Sequence, residues 1–149
     1  APLNLEYQQA NRVLSFPFHF LNTQRAMNVK PNNYSWPEFY KHLIDVTNYT
    51  FSRRAIINRF RVIKPIFLSC MNVLRALHGI GRIKYQSEVL HLLNNDRPFR
   101  DFFEQETTEI PQFYVDRVRN DLGPLWEWLP EGALYYHPNA YLISQKESS

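Results

Sequence analysis

The stretch Ser35-Trp36-Pro37-Glu38-Phe39-Tyr40-Lys41-His42-Leu43-Ile44 decides how this chain is read. A hydroxyl at Ser35, a proline in the first turn and a glutamate at Glu38 make the capping-box pattern, in which each end residue satisfies a backbone N–H that the helix leaves open. Phe39, Leu43, Ile44 and Thr47 then recur on one face, so a helix is predicted from Ser35 to about Tyr49. Ser52 caps the next one. Ile56, Phe60, Ile63, Phe67, Met71 (or Cys70), Leu74 and Leu77 step by three and four residues and read as its buried face. Pro65 interrupts that register at a cost of about 3 kcal/mol, which predicts a kink near Lys64 or two helices. Gly79-Ile80-Gly81 is expected to stop the element, because glycine readily turns left-handed.

A further helix is predicted from about Arg82 to Asn94, with Ile83, Val89, Leu90 and Leu93 apolar. Asp96 caps a short one carrying Phe99, Phe102 and Phe103. Thr108 caps the last, Glu109 to about Leu129, and Gly123-Pro124 cuts it so that Leu125–Leu129 forms a separate turn. Two aromatic segments resist helical reading: Phe16–Leu21, broken by Pro17, and Ala133–Leu142. The fold class expected is mainly α, an irregular multi-helix bundle of five to seven helices with extended aromatic segments near both ends. Residues 1–34 are expected to be an extended segment continuing from an absent upstream domain, residues 35–143 the helical domain and residues 144–149 a disordered tail. The start at Ala1, in mid-pattern, is what a piece of something longer would show.

The 149 residues are one ordinary domain's worth, 44% apolar and 15% aromatic, so a packed core is expected. There is no signal-peptide pattern and no apolar run of about twenty residues, hence no membrane span. Cys70, alone in an apolar run, excludes an internal disulfide and reads as a buried inert thiol. A reducing, cytoplasmic location fits.

Charge is segregated. Val46 to Ser87 holds no acid but eight cations, Arg53, Arg54, Arg59, Arg61, Lys64, Arg75, Arg82 and Lys84, while Glu88–Asp121 is acid-rich. Arg53, Arg54, Arg59, Arg61 and Lys64 make a candidate interaction surface. A solvated helix face, or ion pairs with the acidic segment, is the plainer reading. Nucleic acid is disfavoured: net charge is only +3, and the aromatics of this stretch fall on the apolar side instead of between the cations. The five histidines show no metal-ligand spacing, and no phosphate-cradling glycine motif occurs. His19, between two phenylalanines, and Tyr114 are the candidate polar handles of an aromatic-lined pocket. The clustered acids Glu104, Glu106, Glu109, Asp116 and Asp121 lie near helix starts, where the backbone dipole favours them.

Several segments resemble a known family. Ala26-Met27-Asn28-Val29-Lys30-Pro31-Asn32-Asn33-Tyr34-Ser35-Trp36, with Glu38-Phe39-Tyr40, is similar to the region that follows the catalytic barrel in cobalamin-binding-type radical SAM proteins, the Fe-S oxidoreductases. So are Arg97-Pro98-Phe99-Arg100 with Phe102-Phe103-Glu104, Pro111-Gln112-Phe113-Tyr114-Val115-Asp116-Arg117, and Trp128-Leu129-Pro130-Glu131-Gly132-Ala133-Leu134 with Pro138-Asn139-Ala140-Tyr141-Leu142. The resemblance covers most of the chain. It implies a non-catalytic C-terminal accessory region that docks on the barrel of an upstream catalytic domain in the same polypeptide, perhaps through Phe16–Leu21, and shapes substrate access. The parent family uses a 4Fe-4S cluster held by Cys-x3-Cys-x2-Cys, S-adenosylmethionine and, in this subtype, cobalamin. Neither that cysteine motif nor the cobalamin-binding Asp-x-His-x-x-Gly run is present, so no catalytic or cofactor residue carries over. The alternative expectation is a helical adaptor that binds protein or nucleic acid through the basic Arg53–Lys84 face.

Overall fold

A computed structural model of the chain describes residues 2–17, 27–62 and 66–136. The protein is mainly helical. Among the described residues six α-helices, α1 (Pro2–Gln9), α2 (Trp36–Thr50), α3 (Arg53–Val62), α4 (Ile66–Asn95), α5 (Arg97–Phe103) and α6 (Gln112–Leu122), are followed by a 3-10 helix, Gly123–Trp128. No strand occurs among the described residues; Val13 and Val29 make one isolated antiparallel bridge. The chain divides into two compact units, a middle unit (Asn33–Asp96) and a terminal unit (Ala1–Asn32 with Arg97–Ser149).

In the middle unit the capping box is complete. Ser35 N–H donates to the Glu38 carboxylate at 2.9 Å and Glu38 N–H donates back to Ser35 Oγ at 3.4 Å. The Ser35 backbone and hydroxyl, in that order, hold the carboxyl of exposed Glu38 below its usual range, against slight desolvation and with a smaller downward pull from His42. α2 buries Trp36, Tyr40 and Thr47 and packs chiefly on α4. Ser52 Oγ accepts from Ala55 N–H at 3.3 Å and caps α3. α3 ends at Val62 and α4 begins at Ile66; Pro65, where a kink or two helices is predicted, lies outside the described residues.

The predicted stop at Gly79-Ile80-Gly81 does not occur: α4 runs through it for 30 residues. Gly79 serves a different purpose. A Cβ there would lie 2.6 and 2.7 Å from Phe51 ring atoms, so this glycine is the space into which the ring fits. Glycine in a helix interior costs about 1 kcal/mol against alanine. Phe51 is half-buried there, and the part of the about 1.5–3 kcal/mol of full apolar burial that this keeps offsets the cost.

The terminal unit is built on aromatic rings. Phe16 meets Phe102 and Tyr114 edge-on, with centroids 4.9 and 5.0 Å apart, and Phe99 stacks on Tyr114 at 5.7 Å. Offset and edge-to-face pairs of this kind suit the ring quadrupoles. Two helices end in Schellman motifs. After α1, Asn11 is left-handed at φ 51° and Arg12 N–H reaches the Tyr7 carbonyl. After α5, Gln105 takes φ 67°, Glu106 N–H reaches the Asp101 carbonyl, and Gln105 Nε2 donates to the Val13 carbonyl at 2.9 Å. Gln105 therefore both ends a helix and anchors the N-terminal segment. Lys30 ties the same segment to Glu104 through an ion pair at 2.6 Å.

The last helix starts later than predicted. Thr107 Oγ1, rather than Thr108, takes the Glu109 N–H, and α6 begins only after Pro111, whose own residue is extended at ψ 138°. A proline biases the residue before it away from helical geometry, which makes Ile110 a poor helix interior. Gly123 then ends α6 at φ 54° and the 3-10 helix follows, as the Gly123-Pro124 cut predicts.

Candidate interaction surfaces

Helical spacing states which side chains share a face, and the structure states which faces are covered. On α4 the buried line is Asn72, Ala76, Gly79, Gln86, Val89 and Leu93. Of the apolar series read from the sequence as core, Ile56 is half-buried, the side chains of Ile63 and Leu77 lie outside the described residues, and the rest lie elsewhere. Phe67 is 69% exposed and Leu74 58%, and Phe60 and Met71 are also exposed. Cys70, expected to be buried, is exposed as well. The reason is register: Phe67, Met71 and Leu74 are offset around the helix from Asn72, Ala76 and Gly79, which face the neighbouring helices of the unit.

Of the candidate cations, Arg53, Arg54 and Arg61 are exposed. Arg59 is half-buried and donates to the Thr50 carbonyl at 2.9 Å, so it braces the α2–α3 turn. Lys64 lies outside the described residues. Arg75, Arg82 and Lys84 are exposed along α4. None of these six exposed cations forms an ion pair with another described residue.

A groove of about 440 Å³ opens between the α2–α3 turn and α4, walled by Phe51, Ile56, Val73, Ala76 and Ile80, with Arg53 at its edge. Of the two handles of the predicted aromatic pocket, one falls among the described residues. Tyr114 is buried inside the ring cluster of the terminal unit, and His19 lies outside the described residues. Among the described residues no three of His, Cys, Asp and Glu gather as a metal site.

The terminal unit has its own exposed apolar group. Trp128 is 83% exposed on the 3-10 helix, beside exposed Leu125, and Tyr135 follows after a turn in which Ala133 N–H donates to the Pro130 carbonyl. Exposure of a tryptophan to that degree carries no sequence signal; Trp126, two residues earlier, is half-buried with Arg119 over its ring at 4.9 Å. No protein-family model, curated protein or solved structure matches the chain.

Proposed function

We propose that this chain is the non-catalytic C-terminal accessory region of a radical SAM Fe-S oxidoreductase, docking on the catalytic barrel and shaping access to it. The carrying observation is the exposure of Leu125, Trp128 and Tyr135, which lie in and around one of the segments that resemble that family. Tryptophan and tyrosine are enriched where one surface seats another, since they bury much area with few rotatable bonds. The chain's own residues do not fit the family's cluster: Cys70 is its single cysteine and sits exposed on α4, so three thiolates must come from elsewhere in the polypeptide. Iron and sulfide analysis of the full polypeptide, purified without oxygen, tests this. A stoichiometric cluster is expected, and its absence removes the reading.

A second reading, a helical adaptor working through the basic Arg53–Lys84 face, is favoured by the six exposed and unbridged cations described above. If the ligand is a polyphosphate chain, its binding must weaken steeply as salt is raised. A salt titration against RNA that shows no such binding eliminates the nucleic-acid form.

A further inference from the structure

The groove of the middle unit has an apolar body and a polar edge. On α4, Val73, Ala76, Ile80 and Ile83 step by three and four residues, so they stand in one line along the helix, and that line is one wall. Phe51 and Ile56 complete the apolar lining. The polar lining, Asn48, Ser52 and Arg53, comes from one short run of chain across the α2–α3 turn. Arg53 is exposed, forms no ion pair with another described residue, and is the single charge of a lining that holds no acid. Ser52 Oγ accepts from Ala55 N–H and keeps its own proton to donate. Ile80 is 63% exposed, so the wall it belongs to stands open to an occupant.

We propose that this groove binds a fatty carboxylate, its hydrocarbon chain along α4 and its carboxylate held at the turn by Arg53. Size selects the chain. Cavities that hold small molecules run from about 300 to 1,000 Å³, and about 440 Å³ lies within that range. From Val73 to Ile83 the wall follows α4 for about 15 Å, at about 1.5 Å per residue. Spread over that length, the volume leaves a cross-section of about 30 Å². A helix with its side chains is about 10 Å across and needs more than twice that area, whereas one extended hydrocarbon chain is narrow enough. Charge selects the head group. The lining's one charge is positive, and no acid occurs from Val46 to Ser87, a stretch that includes the turn, α3 and the whole α4 wall. An anion therefore meets attraction at the turn and no carboxylate on either side of the groove. A guanidinium gives a carboxylate two parallel N–H bonds, and the Ser52 hydroxyl proton stands next to it in the chain.

Calorimetric titration of the full chain with octanoate and with octanol, which share a chain and differ in charge, tests this. Octanoate is expected to bind about three- to tenfold more tightly. Arg53→Glu should erase that preference and leave octanol within about twofold of its wild-type affinity, since an acid in the first turn suits the α3 dipole and the helix stays intact. Ile80→Ser should weaken both ligands by about threefold or more, with circular dichroism unchanged because the side chain is already largely exposed. In the series from hexanoate to tetradecanoate, kept below the micelle limit, affinity should rise by up to about fourfold per methylene and level off once the chain outgrows the groove. An affinity that climbs without a plateau is partition onto greasy surface and overturns the proposal. So does a wild-type protein that binds no member of the series, or that takes acid and alcohol equally, or whose octanoate binding ignores Ile80→Ser. Binding of an acidic amphipathic helical peptide, lost in the same two variants while no fatty carboxylate binds, overturns it in favour of a partner helix. The docking reading is separate from all of these outcomes, because iron and sulfide in the full polypeptide decide it.

Discussion

Gly79 and Gly81 lie two residues apart in α4 and meet opposite surroundings. A Cβ on Gly79 runs into the Phe51 ring, whereas one on Gly81 meets nothing within 4 Å. Gly81→Ala is therefore expected to stabilise the protein by about 1 kcal/mol, the full helix-propensity difference. Gly79→Ala gains the same propensity but overpacks a ring, at about 1–3 kcal/mol, and should come out neutral to destabilising. Urea denaturation of the two variants checks the pair; equal gains at both positions would mean that the Phe51 ring moves freely. The capping box makes a prediction of a different kind. Glu38 has its folded pKa lowered by the Ser35 amide and hydroxyl. A lowered carboxyl pKa contributes stability that is present above the unfolded value and is lost as pH falls through the folded one. Ser35→Ala should thus cost about 1 kcal/mol at neutral pH and noticeably less in acid, where Glu38 is protonated in both states. Thermal unfolding at the two pH values measures the difference; a loss equal in both would show that the bond from the Ser35 hydroxyl to the carboxylate contributes nothing, since residue 35 keeps its N–H bond to Glu38 in the variant.

At the scale of the element, α4 carries two kinds of apolar residue that composition does not distinguish. Phe67→Ser and Leu74→Ala, on its exposed side, should change stability by no more than about 0.5 kcal/mol. Leu93→Ala, at a fully buried position, should cost about 2–5 kcal/mol. Equal costs would mean that the exposed stripe is covered in solution. This contrast marks the limit of what the sequence discloses. Signals set by neighbours in the chain are legible: the Ser35 box, the Ser52 cap and the cut at Gly123. The mainly α class followed from them. The run through Gly79 was not legible, because its cause is Phe51, a residue 28 positions away in sequence that the fold brings to the helix. The series from Phe60 to Leu74 reads as one buried face in sequence, but Phe60 belongs to α3, and Phe67, Met71 and Leu74 lie on the exposed side of α4, since periodicity fixes which side chains share a face but not what lies opposite. Of the basic surface, the residues could be named from charge segregation alone. That Arg59 is spent on the Thr50 carbonyl, while its neighbours stand free of ion pairs, required coordinates.

For the molecule as a whole, the terminal unit brings together two parts of the chain separated by the entire middle unit. Closing so long a connection costs entropy that grows only as the logarithm of its length, so a modest set of contacts suffices to hold it. Those contacts are unequal. The Lys30–Glu104 pair is partly exposed on both side chains, and in such a setting an ion pair contributes at most about 1 kcal/mol. Phe16, buried against Phe102 and Tyr114, contributes several times that. Phe16→Ala should therefore cost about 3–5 kcal/mol, against at most about 1 kcal/mol for Lys30→Ala. Hydrogen exchange gives the sharper test. Leu14 N–H donates to the Asn28 carbonyl and Lys30 N–H to the Arg12 carbonyl, so the paired backbone around Val13 and Val29 has amides to watch. Phe102→Ala, a change on α5 made more than seventy positions along the chain, should speed exchange at Leu14 and Lys30 together with the amides of α5 and α6. Faster exchange in α5 and α6 alone would show that the N-terminal segment is pinned by its own hydrogen bonds, with Gln105 and Glu104 as its anchors, and that the ring cluster does not couple the two ends of the chain.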